Sequence, residues 1–213
     1  MSTQAWRTGH AADRLRIRAK LPLYRNGYAL IASSAVTSAL GLVYWTVAAR
    51  LYDARAIGVS AALIAAVTLL ANLAQLNLKS ALNRFLPTAG AGAGRLVLSA
   101  YALAVAVAMV TGAVFLAGLP VWSPELAWLL DRPALALWFV AATVTWTIFV
   151  LQDGALAGLR QALWVPAENA TFAVAKILLL LALAATMPTL GVFVSWTAPI
   201  LVLIVPVLSL IHI

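Results

Sequence analysis

Hydrophobic positions in this chain form long unbroken runs separated by short charged clusters. The hairpin from Ala48 to Pro87 shows the pattern. One run ends at Arg50, a turn carries Asp53 and Arg55, and 23 uncharged residues follow before Lys79, with Arg84-Phe85-Leu86-Pro87 closing the segment. About 20 helical residues, each rising ~1.5 Å, cross a hydrocarbon core ~30 Å thick, so this run is long enough to span. Every backbone amide in hydrocarbon needs an internal partner. An Ala- and Leu-rich run without period-two alternation meets that need as a helix, not as a barrel strand.

The same reading along the chain predicts six transmembrane helices, at about 26–49, 56–79, 96–119, 133–153, 165–186 and 190–207. Pro120 is expected to stop the third, and Met187-Pro188-Thr189-Leu190-Gly191 to break a final run too long for one crossing. Residues 1–25 form a basic tail without the compact apolar core and cleavage site of a signal peptide, so the first helix reads as a retained anchor. Ser33, Ser34, Thr37 and Ser38 give that helix a small hydroxyl face suited to helix contact. The TAGAGAG stretch before Arg95 lacks the Gly-Lys-Ser/Thr ending of a phosphate loop and reads as a plain linker. Trp122, Glu125, Trp128 and Asp131 mark an interfacial loop. Gly154 and Gly158 match GxxxG, a weak signal in so Ala-rich a chain, and the Asn169-Ala170-Thr171 sequon falls inside a predicted span.

Composition sharpens this picture. Of 213 residues 64% are hydrophobic and 9% charged, against about 25% charged in soluble domains, which leaves no room for a soluble catalytic domain. The net charge of +8 does not imply nucleic acid, because six of the fourteen Lys and Arg precede residue 26, beside a membrane segment. With the N-terminus in the cytoplasm, ten basic residues fall inside and only Arg50, Arg55 and Arg132 outside, as the positive-inside rule requires. The expected location is a bacterial cytoplasmic (inner) membrane, crossed several times. The chain has no Cys, and its two His, at 10 and 212, lie near opposite ends. Its six acids are scattered, so no enzyme, metal or acid/base signature emerges.

Candidate chemistry therefore lies within the helices. Thr68, Asn72, Gln75 and Lys79 follow i, i+4, i+7, i+11 and would share one stripe of the second helix, either packed on a neighbour or lining a cavity. Lys176 falls ~16 Å along the fifth helix, near mid-membrane, where a Lys costs ~2.5–3.5 kcal/mol unless a wet cavity or a partner receives it. Asn169 shares its face, whereas Glu168 or Asp153 could pair with it structurally. Arg50 and Arg84 are further candidates, although helix-end arginines usually reach headgroups.

At these residues the chain resembles the oligosaccharide (lipopolysaccharide, O-antigen) flippases of the multidrug/oligosaccharidyl-lipid/polysaccharide exporter superfamily. The resemblance rests on Ala49-Arg50-Leu51-Tyr52, the Asp53 to Gly58 turn, Arg84-Phe85-Leu86-Pro87, and Trp164-Val165-Pro166-Ala167-Glu168-Asn169 leading to Lys176, and it covers about residues 24–207. It implies an all-α membrane protein of two six-helix lobes around a central cavity, with this chain as the N-terminal lobe and the C-terminal lobe missing from it. The implied function is transport of a polyprenyl-pyrophosphate-linked oligosaccharide for polysaccharide biosynthesis by alternating access, with no cofactor beyond a coupling H+ or Na+. The implied partners are that lipid-linked substrate and membrane lipids. The alternatives are a cation-coupled multidrug exporter, whose site would favour acids over Lys, part of a membrane-embedded glycan polymerase or ligase, or a structural subunit. Leu208 to Ile213 looks like the translation of a transposon end used in making sequencing libraries, so the reading frame is expected to break off near Val207. Its plain alternative is the apolar end of helix six.

Overall fold

The computed structural model describes residues 35–159, 161 and 164–211, with side chains described to Val205. The basic tail at 1–25, the hydroxyl residues 33 and 34, Arg160 and His212 lie outside the described residues. By its contacts the chain divides into Met1–Ala39, described only as helix at 35–39, and a helical body, Leu40–Ile213.

Among the described residues there are seven α-helices and no strand. They are α1 (Ala35–Leu51), α2 (Ala54–Ala74), α3 (Leu78–Phe85), α4 (Ala93–Trp122), α5 (Pro133–Gly158), α6 (Trp164–Leu183) and α7 (Gly191–Ile211). Four helices are long and apolar enough to cross a membrane: α2, α4 with the turn before it, α5 and α6. The described α1 and the Gly191–Val205 part of α7 are apolar but shorter. The burial pattern fits such a solvent, because Leu42, Leu98, Leu137 and Val202 are each at least 70% exposed. So many bare aliphatic side chains around one body form a surface suited to lipid.

Three expected boundaries need correction. The predicted helix 56–79 is two helices. α2 stops at Ala74, and Leu76 and Asn77 turn through the left-handed region (φ 46° and 62°) before α3 begins at Leu78. Asn tolerates that region, which is why the turn needs no glycine. Pro120 does not stop the third helix but sits in the last turn of α4, where a proline forfeits a single ladder bond and Ser123 N still reaches Leu119 O at 2.9 Å. The fourth helix runs beyond 153 to Gly158, because that last turn rests against α3.

Close approach explains this extension. A methyl group on Gly154 would stand 2.7 Å from Lys79 O, and one on Gly158 would stand 2.9 Å from Leu82 O. Both positions must be bare for the backbones of α3 and α5 to meet. α5 is the central helix, touching α2, α3, α4 and α7. One core cluster gathers Tyr44, Leu63, Phe139, Phe193 and Ile200. A second joins Leu82, Leu86, Val97, Leu151 and Leu156 where α3, α4 and α5 converge.

Candidate functional site

Lys176 occupies the middle of α6, and its surroundings are aromatic. The ammonium lies 5.0 Å from the Tyr44 ring centroid and 5.1 Å from that of Phe172. Facing π-clouds stabilise a cation by roughly 0.5–2 kcal/mol, increasing with desolvation. Tyr44 is fully buried, and its hydroxyl donates to Val192 O at 2.7 Å and lies 3.0 Å from Ser195 Oγ, so α1 presents a fixed ring to the cation. Behind Phe172 stand Phe149, Trp146 and Trp196, with Trp146 and Trp196 centroids 4.3 Å apart. Among the described residues Lys176 has no ion pair. The pairing with Glu168 or Asp153 envisaged from sequence is not formed, since Asp153 Oδ2 instead receives Lys79 Nζ at 2.9 Å.

The predicted polar stripe is broken by the same turn that splits the helix. Lys79 belongs to α3, not to the face carrying Thr68, Asn72 and Gln75. Thr68 Oγ1 bonds back to Ile64 O, and Gln75 Nε2 donates to Asn72 Oδ1 at 3.1 Å, with Gln75 buried and Asn72 exposed. Asn169 Nδ2 donates to Val165 O in its own helix. Arg50 is exposed at the end of α1, and Arg84 lies over the neighbouring Phe85 ring. No hydrogen bond or ion pair among the described residues joins these side chains to Lys176.

Two polar regions lie at opposite ends of the body. At one end the α1–α2 turn, the loop after α4 and the α6–α7 turn border an open cleft of about 560 Å³, with Asp53, Arg55, Glu125, Trp128 and Arg132 on its walls. Asp53 caps α2 by accepting from Ala56 N at 2.7 Å, and the Arg132 guanidinium lies over Trp128. At the other end, the Lys79–Asp153 pair sits near Glu168 and Tyr101. Sequence reading offered Asp153 and Glu168 as partners for Lys176, with Glu168 also in the motif that carries the resemblance, and passed over Tyr101. A signal was present, since Gly154 beside Asp153 permits the approach that brings Lys79 to it. Among the described residues no three His, Cys, Asp or Glu side chains converge as a metal centre.

Fold and site together define an all-helical protein with an apolar surface, four helices of membrane-crossing length and an interior cation on an aromatic bed. In comparison with known proteins, the chain matches no family model, no curated protein and no solved structure.

Proposed function

We propose that this chain is a lobe of a membrane transporter that moves a polyprenyl-pyrophosphate-linked oligosaccharide across a bacterial inner membrane, with the N-terminus in the cytoplasm and Lys176 receiving the pyrophosphate. The observation carrying this reading is Lys176 itself, a half-buried ammonium held by two aromatic rings and, among the described residues, by no carboxylate. Cation–π contact holds the charge in place without neutralising it, so an arriving anion gains the full Coulomb attraction of a low-dielectric site. The aromatic wall beside it supplies apolar surface for the lipid-proximal part of the substrate. Two such lobes rocking about a midplane site would expose the bound headgroup to either side in turn. The flippase resemblance in the Arg50, Arg84 and Trp164 to Lys176 segments supports the same substrate class.

Binding to the purified chain tests this proposal. Native mass spectrometry with a polyprenyl pyrophosphate should show a complex that weakens at least about tenfold in Lys176→Met, as the loss of a charge-assisted contact requires. The uncharged polyprenol should bind both proteins alike. Equal binding of the pyrophosphate to both would remove Lys176 from the site.

One observation favours the multidrug-exporter reading, the buried carboxylate of Glu168, unpaired among the described residues, which a cationic drug could meet. A lipophilic cation protecting the wild type but not Glu168→Gln against thermal unfolding would support that alternative.

A further inference from the structure

The cleft bordered by the α1–α2 turn, the loop after α4 and the α6–α7 turn has no part in the pyrophosphate site. Its lining carries charges of both signs: Asp53 and Arg55 at the start of α2, Glu125 in the loop after α4, and Arg132 just before α5. Among the described residues none of the four forms an ion pair. Asp53 caps α2 with one oxygen and Arg132 lies over Trp128, whereas the side chains of Arg55 and Glu125 have no hydrogen-bond partner among the described residues. Arg55, Gly58, Val59 and Ala62 recur at i, i+3, i+4 and i+7 and give one face of α2 to the cleft, with Ala62 ~10 Å along the helix from Arg55. Along that face the charged groups give way to small and apolar ones, joined by Leu126 and Leu190. A Cβ built on Gly58 would meet no atom within 4 Å, so the missing side chain leaves the space open.

Guanidinium and carboxylate groups that face one cleft without pairing suit a ligand that itself carries both charges. Guanidinium groups bind phosphate oxygens through charge-assisted hydrogen bonds, and carboxylates accept the N–H groups of a primary ammonium. A phosphate and an ammonium joined by an ethylene link present both within one headgroup. The cleft volume of about 560 Å³ lies within the ~300–1,000 Å³ of small-molecule sites. A wholly polar solute such as a free sugar would leave the apolar part of the lining unused, whereas a lipid sets its headgroup among the charges and its glycerol and acyl carbons against the apolar wall. The cleft also lies at the ends of apolar helices of membrane-crossing length, and Trp128 on its wall is a residue type that collects at headgroup level. We propose that this cleft binds the headgroup of phosphatidylethanolamine, with Arg55 and Arg132 receiving the phosphate and Glu125 and Asp53 the ammonium. The proposal rests on the membrane-crossing helices and not on the pyrophosphate site.

The test is native mass spectrometry of the purified chain, titrated in detergent with phosphatidylethanolamine, phosphatidylglycerol or phosphatidylcholine of identical acyl chains. Phosphatidylglycerol lacks the cation and phosphatidylcholine has no N–H to donate, so phosphatidylethanolamine should bind most tightly. Glu125→Gln should weaken that lipid about fivefold, as the loss of one charge-assisted hydrogen bond in an open cleft does, and leave phosphatidylglycerol unchanged. Arg55→Gln should weaken both. Gly58→Leu fills the cleft without altering a charge and should remove the preference. Equal binding of the three lipids by the wild type overturns the proposal, as does a preference that survives Glu125→Gln or Gly58→Leu. If one of these variants does not fold, the other decides. Glycerophosphoethanolamine, the soluble headgroup, binding as tightly as the lipid would identify a water-borne zwitterion, and displacement of the lipid by a free oligosaccharide would identify a glycan site; either result overturns the lipid assignment. The pyrophosphate lipid is not read in these titrations, so their failure leaves the flippase reading standing, and failure of pyrophosphate binding leaves the headgroup site standing.

Discussion

Lys176 and the two tyrosines of the first hairpin show how much of this protein depends on single side chains. Tyr44 at once supplies a ring to the cation and ties α1 to α7 through Val192 O. Tyr52, two turns further on, donates to Leu180 O at 3.0 Å, and its ring fills the space above Gly191, where a methyl group would stand 2.5 Å from the hydroxyl. The hydroxyl of Tyr52 therefore links the end of α6 to the hairpin while its ring packs on the start of α7. Tyr52→Phe keeps the ring and removes the bond, so it should cost about 1 kcal/mol, measured as a lowered melting temperature at unchanged lipid binding. A much larger loss would mean that the ring had moved as well. Sequence alone could place Lys176 deep in a helix by counting from Val165. It could not show Tyr44, more than a hundred residues away, as the neighbour that holds it.

At the scale of elements, apolar runs marked the four helices of membrane-crossing length because length and hydropathy are local properties. The turn at Gln75 to Asn77 escaped notice because it contains neither glycine nor proline, and Asn77 was its sole local signal. The contact between α3 and α5 was half legible. Gly154 and Gly158 carried the GxxxG spacing, but only the fold shows that the face they form receives the backbone of α3. The Lys79–Asp153 pair joins positions 74 apart in sequence, a distance over which no spacing rule operates. Gly154→Leu should therefore push α3 away, separate Lys79 from Asp153 and cost about 1–3 kcal/mol or more through overpacking. A disulfide between Cys substituted at Ser80 and at Ala157, if it forms in the background lacking that change, should form less readily with it. Leucine accepted at 154 with no change in melting temperature would show that the two helices do not touch there.

For the whole molecule, the short connections between apolar helices put three turns around one cleft and the Lys79, Asp153 and Glu168 cluster at the opposite helix ends. In the proposed orientation, with the N-terminus in the cytoplasm, the cleft would face the outside and the cluster the cytoplasm, which would set the anionic site between them. Four helices reach membrane-crossing length, and two shorter apolar helices together with the short α3 make up the rest of the described helices. In the proposed function this body carries a lipid-linked glycan by means of the charge on Lys176. It is tested most directly in the cells that carry the gene, by exchanging the Lys176 codon for Met at its own locus and measuring surface polysaccharide on intact cells. Surface polysaccharide should fall and the lipid-linked precursor accumulate while the protein remains in the membrane. Normal surface polysaccharide with no accumulated precursor would contradict it.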